Sequence, residues 1–477
     1  MDAPLSVDKV RFLLFSFKEK LWIKPLSFCL LSLLAVFAAK IVDGTSLAEH
    51  LPKIEPNSVK TLLSIMASSM MVIATFSAGA MVNAYASASQ SSTPRSLGLI
   101  ISDDVSQNAL STFVGAFIYS AVALTAMSQG FYEQAGVFLL FCITCLAFAV
   151  VILTFIRWVD SVARLGRVES TTLKVEEATQ RAIEQRIKNP CLGAIPAGDI
   201  KEQGSFAVQT SEVGYIQLID LAKIQEWANN NDLFVNIAML PGEFVTPEKH
   251  IAYVNKDIDC EGLISAFNIS SSRSFEADPR FGFIVLAEIA SRALSPSVND
   301  HGTAIGIVSS ITRLMLLWSK PDKNTDKTNQ DGRASNHNKA ARTSDDNTYE
   351  QPNHGKPHYE KPHNDKPHYE KPKYDRISVP KISIHDIFDD AYTSIARDGA
   401  GNIEVAIRIQ KSLRTLFACF EKLKKDTGSE LASDFSKVAN DFATQSFKRS
   451  EQQLCFEQDK ARLEKIYRGN SQSANDK

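Results

Sequence analysis

The sequence predicts an α-helical membrane unit of four transmembrane helices, followed by a cytoplasmic α+β domain made of a small β-rich, barrel-like module and then helices. Three observations predict it. Every apolar block long enough to cross a bilayer lies before Trp158; no charged residue falls between Lys60 and Arg95; and the rest of the 477 residues holds only short β-prone runs and charged helical stretches. A spanning helix needs about 20 apolar residues, whereas a soluble helix of that length carries a polar stripe. The net charge of -2 averages two unlike halves and decides nothing by itself.

Residues 1–20 form an interfacial segment, because basic residues alternate there with Phe12, Phe15 and Phe17. The transmembrane domain, 21–158, holds apolar blocks at 21–42, 61–86, 109–127 and 135–156. A cleaved signal peptide is the alternative for the first block; its length and the three spans that follow argue against it. Basic residues cluster before the first block (Lys9, Arg11, Lys18, Lys20, Lys24), between the second and third (Arg95) and after the fourth (Arg157, Arg164, Arg167). Lys and Arg stay inside, so both termini are cytoplasmic and the protein is a multi-pass protein of the inner membrane.

Small residues recur four apart in the second block, at Ser64 and Ser68, Ala74 and Ala78, and Ala80, Ala84 and Ala88, which lets helices approach closely within the chain or in a homo-oligomer. No block carries an ionisable residue at mid-depth, which disfavours proton-coupled transport but leaves a passive pore lined by Asn83, Tyr119 and Thr125. The seven cysteines give no disulfide framework, and Cys142 and Cys145 lie inside the fourth block, where helix packing outweighs metal or redox chemistry.

Residues 159–204 read as a connecting helix, broken at Asn189-Pro190, and a linker. From 205 to 318 the β-prone runs FAVQ, GYIQLI, LFVNIAML and HIAYV alternate with turn signals; a short amphipathic helix sits near Trp227, and a helical hairpin turns at Ser295-Pro296. The apolar run after Thr303 contains Arg313 and reads as a buried soluble helix. Residues 319–376 lose their apolar content and repeat KPHYEKP at 356–362 and 366–372, the composition of a disordered His/Pro/Lys-rich insertion. Helical periodicity returns over 377–470, with breaks at Gly399 and Gly428.

The candidate polar site is Arg273, Asp278, Arg292, Ser295, Asn299 and Asp300. The plainer readings are that Asn299 or Asp300 caps the helix that follows, and that Arg273 or Arg292 pairs with Asp278 or Asp300 in a buried structural ion pair. No phosphate loop, dinucleotide fingerprint, HExxH or GxSxG occurs, and no basic-aromatic ladder suggests nucleic acid. No catalytic residue, metal ligand or cofactor is assigned; the expected partners are the lipid bilayer and a second copy of the chain, with the ligand unidentified.

Four stretches resemble a known family: STPRSLGLIISDDVSQNALSTFVGAFIY from Ser92; GYIQLID from Gly214 with PGEFV from Pro241; RSFEADPRFGFIVLAEIASRALSPSVNDHGTAI from Arg273; and DIFDDAYTSIARDGAGNIEVAIR from Asp386. Together they resemble the bacterial predicted membrane proteins of domain-of-unknown-function family 2254. The resemblance implies four amino-terminal spans and a cytosolic domain, and no known reaction. Two residues depart from the pattern: His301 stands where the family has Pro after Asn-Asp, and Ser274 where it has Thr. Loss of that Pro implies another start for the following helix. Three readings compete: a non-enzymatic protein whose cytosolic domain senses, scaffolds or gates; an oligomeric channel or passive transporter; and a membrane-proximal enzyme built on the Arg273 to Asp300 cluster.

Overall fold

The computed structural model describes residues 23–43, 51–101, 103–164, 166–198, 206–319 and 372–469. The expected interfacial segment 1–20 and nearly all of the expected insertion lie outside the described residues. Five described helices are long and apolar enough to cross a membrane. Four of them, α1 (Ile23–Val42), α2 (Pro56–Ser91), α4 (Asp104–Ser128) and α5 (Gln134–Arg164), share one core around Leu63, Met66, Phe113, Tyr119 and Leu140. Their outer faces are apolar too, with Leu34 and Phe37 on α1, Val72 and Phe76 on α2, and Leu146 and Ile156 on α5 all exposed. An apolar exterior of this extent suits hydrocarbon and not water. Helix α3 (Leu97–Ile101) bridges α2 and α4.

The small-residue stripe of α2 divides. Ala74, Ala84 and Ala88 are buried within the chain, while Ser64 and Ser68 are exposed. Gly166, with φ +84°, turns the chain from α5 into α6 (Val168–Lys188), and a Cβ there would stand 2.9 Å from the Ala84 carbonyl oxygen. The close approach at this corner requires glycine.

Beyond α6 the expected barrel-like module is two open sheets. The larger has the order β1 (Ala194–Pro196), β8 (Tyr374–Val379), β4 (Val235–Ile237), β6 (Ala252–Val254), β2 (Phe206–Val208); the smaller has β5 (Phe244–Val245), β3 (Gly214–Ile219), β7 (Phe267–Ser270). With α7 (Leu221–Asn230) and α8 (Glu261–Ile264) they enclose one core containing Ile216, Ile224, Val235, Ile237, Val254 and Ile377. Strand β8 runs parallel to both its neighbours. It corrects the expectation that the insertion reaches 376 and that helices follow directly, because Ile377 and Val379 alternate into the core and Tyr374 is buried ahead of them, where the pairing with β1 shifts register.

The helical hairpin is α9 (Pro279–Ala293) and α10 (His301–Met315), and it packs with α6. The same core takes in α11 (Ile384–Phe388), α12 (Ser394–Asp398), α13 (Ile403–Thr427) and α14 (Glu430–Gln453); α15 (Glu457–Arg468) closes a small satellite around Leu463. A π-helical turn at Asp389–Thr393 joins α11 to α12. The fifth apolar helix, α10, belongs to this core: Ile307, Val308, Ile311 and Leu314 are all buried in it. Gly428, at φ +67°, ends α13 in the left-handed conformation that the sequence break anticipates.

Candidate functional site

The end of α2 meets the helical hairpin through polar contacts. Ser92, Thr93 and Ser96 knot the chain locally: the Ser92 hydroxyl donates to the Ala88 carbonyl at 2.5 Å and the Ser96 hydroxyl to the Thr93 carbonyl at 2.7 Å. Arg95 pairs with Glu288 of α9, whose other carboxylate oxygen accepts from the Thr93 hydroxyl at 3.0 Å. Arg292, one turn on, donates to the Ser92 carbonyl at 3.2 Å. Beside them, Lys174 of α6 reaches Asp103 at 2.7 Å, and Asp103 caps α4 by accepting from the Ser106 N–H at 3.0 Å.

Next to this seam is a cavity of about 760 Å³. One wall is Pro94, Arg95, Gly98 and Leu99; a second is Tyr215 and Gln217 of β3; the third runs from Ser271 through Phe275 and on to Phe281 and Ile284 of α9. Its charged lining residues are both arginines, Arg95 and Arg273. Among the described residues no Asp, Glu, His, Cys or Lys lines it, so the described wall offers donors and apolar surface and no general base working near neutral pH.

Behind Arg273 lies a buried charge network. Asp278 is 3% exposed and caps α9, taking the Arg280 and Phe281 N–H groups on Oδ1 at 3.1 and 3.3 Å. Its Oδ2 accepts from Nε and Nη2 of Arg273 at 2.7 and 2.6 Å. Burial pushes the Asp278 carboxyl above its ordinary range, and the Arg273 charge offsets this only in part. Arg280 extends the network to Asp390 at 2.7 Å, on the π-helical turn, and to Asp386 at 2.8 Å on α11. Burial lowers Arg280, but the Asp390 and Asp386 carboxylates more than compensate and its pKa is raised. Arg186 of α6 donates to the Ala277 carbonyl at 3.2 Å, and its Nη1 is buried with no partner among the described residues. Gly242, at φ +95°, brings backbone against the Arg273–Asp278 pair, where a Cβ would collide with the Asp278 carboxylate.

The six residues of the predicted polar site do not form one cluster. Arg273 and Asp278 pair at the start of α9, and Arg292 serves the seam. Ser295, Asn299 and Asp300 lie in the turn past its far end, roughly 22 Å away along 15 helical residues. That turn is a capping device: Asp300 accepts from the Thr303 N–H at 3.0 Å and hydroxyl at 2.6 Å, Asn299 holds φ +51°, and the Ser295 hydroxyl donates to the Arg292 carbonyl at 2.7 Å. Asp300 thus caps α10, which starts directly at His301. The three predicted pore residues also differ in setting: Tyr119 is buried with its hydroxyl 2.9 Å from that of Thr144, while Asn83 and Thr125 are exposed.

Arg186, Arg280, Asp386, Asp390 and Glu288 were not in the predicted site, because their partners lie far along the chain. A signal was present nonetheless: the four stretches that carry the family resemblance supply Arg95, Tyr215, Gly242, Arg273, Arg280 and Asp390, which the fold gathers around one cavity and the charges behind it.

The family model described as "Predicted membrane protein (DUF2254)" matches residues 18–340. An uncharacterized protein of Mycobacterium tuberculosis (strain CDC 1551 / Oshkosh) is 27% identical over 121 residues, a stretch covering 23% of this chain and 23% of that relative's length. No solved structure matches.

Proposed function

This chain belongs to the DUF2254 family of predicted membrane proteins, and on that premise we propose that it is a non-enzymatic sensing or gating protein in which α1, α2, α4 and α5 span the inner membrane. The module from α6 onward then lies in the cytoplasm, on the side to which Arg95, Arg157, Arg164 and Arg167 point. The packing of α10 supports four spans over five, since its apolar face is buried among α6, α9 and α13 and Arg313 makes two 2.8 Å bonds to Glu176 of α6. Helix length supports a direct link: the 36 residues of α2 give roughly 54 Å, well beyond a hydrocarbon core of about 30 Å.

The observation that carries the proposal is the seam of Arg95–Glu288, Arg292 to Ser92 and Lys174–Asp103, which ties the module to the ends of α2 and α4. A rearrangement of α9 is thereby felt at two spans. The test is hydrogen exchange over residues 92–104 of the full-length protein in nanodiscs, with Arg95→Glu, Glu288→Arg and the double swap. Either single change is expected to raise exchange there, and the double to restore protection, with α13 and α14 unaffected. Unchanged exchange in both single variants would remove the coupling.

A further inference from the structure

We propose that the cavity between α3, β3 and α9 binds a phosphate monoester that carries an apolar body, supplied either as the headgroup end of an inner-leaflet lipid or as a soluble ester. The sign of the ligand follows from the wall: Arg95 and Arg273 line the cavity from two separate segments, and among the described residues no acidic one lines it. Their carboxylate partners engage Nη1 of Arg95 and Nε with Nη2 of Arg273, leaving further N–H groups of both forks for a ligand. Two forks plus the hydroxyls of Ser271, Ser272 and Ser274 exceed what the two oxygens of a carboxylate can accept, and suit the three terminal oxygens of a phosphate monoester.

The rest of the wall sets the other end of the ligand. Leu99, Phe275, Phe281 and Ile284 give an apolar surface, and a volume of about 760 Å³ far exceeds that of a bare phosphate ion. Pro94 to Leu99 continue directly from α2, so the cavity adjoins the end of a proposed span. An anion seated on the remaining N–H groups of Arg95 shares that guanidinium with Glu288, and so acts on the seam. Only this last step, and the nearness to the leaflet, rest on the function proposed above.

The test is titration of the full-length protein in non-ionic detergent with dioctanoyl phosphatidate, hexyl phosphate, dioctanoyl phosphatidylcholine and inorganic phosphate. Saturable binding of phosphatidate or hexyl phosphate is expected, with phosphatidylcholine and inorganic phosphate each weaker by about tenfold or more. Phosphatidate binding more tightly than hexyl phosphate assigns the lipid source, and equal binding assigns a soluble ester. Arg95→Gln and Ser271→Glu should each weaken binding by about tenfold, the scale of one charge-assisted hydrogen bond. Ser271 is exposed, so its variant keeps the fold. Absence of saturable binding, equal affinity for phosphatidylcholine or for inorganic phosphate, or wild-type affinity in both variants would overturn the proposal. Intact binding with unchanged exchange over 92–104 keeps the site and sinks the coupling instead.

Discussion

Asp278 is the residue on which the local arrangement turns, since one carboxylate caps α9, holds Arg273 and rests against Gly242. Removing its partner leaves a buried carboxylate held only by the cap N–H groups and the more distant Arg280 charge, so Arg273→Ala should cost about 3 kcal/mol, measured as unfolding of the full-length protein in detergent. Gly242→Ala should cost about 2 kcal/mol or more in the same measurement, because it adds a collision to a backbone conformation that L-residues avoid. Asp300 makes a milder, pH-dependent contribution. The Thr303 hydroxyl and N–H hold its pKa below the ordinary 3.8, so its stabilisation is present above that value and lost as pH falls through the lower folded value. Wild type should therefore lose stability relative to Asp300→Asn between about pH 5 and pH 2, by less than about 1 kcal/mol because the turn is exposed. The Arg273–Asp278 pair and the Asp300 cap were legible in the sequence, being contacts across five and three residues. Arg280 with Asp390 was not: 110 residues separate them, and no local pattern encodes which distant carboxylate a cation meets.

At the scale of elements, the four early helices were plain because hydrocarbon demands a long apolar run, and their runs are longer or more apolar than any other among the described residues. The strands were harder. Runs such as LFVNIAML gave only three paired residues, Val235–Ile237, and β8 was hidden by the polar repeats before it. The apolar run of α10 illustrates the opposite difficulty, since composition alone admits it as a span while the fold buries Ile307, Val308, Ile311 and Leu314 in a core. Helix α13 is one of its partners there, and α14 packs just past the end of α10 through Trp318. Phe435 is fully buried and stacks on Phe420 at 4.3 Å while touching Phe388 and Trp318 at 5.9 and 5.6 Å. Phe435→Ala should cost about 3–5 kcal/mol in thermal unfolding, and differential hydrogen exchange should show the loss in α10, α11 and α14 before the two sheets.

For the whole molecule, the proposed orientation makes a prediction about sidedness. Cys455 is exposed near the carboxyl end, and Gln129 lies in the turn between α4 and α5. In intact spheroplasts a membrane-impermeant thiol reagent should label Gln129→Cys but reach Cys455 only after permeabilisation; the reverse pattern would invert the topology. The position of β8 has a separate consequence. It lies between β1 and β4, yet it leaves the ribosome some 140 residues after β4, and α11 to α14, which cover the α9–α10 hairpin, emerge later still. During translation the nascent chain therefore holds two unpaired strand edges and an uncovered apolar hairpin, a state prone to aggregation until the residues from Tyr374 onward arrive. A stop codon anywhere before Tyr374 should accordingly yield a proteolysed product and not a smaller working protein.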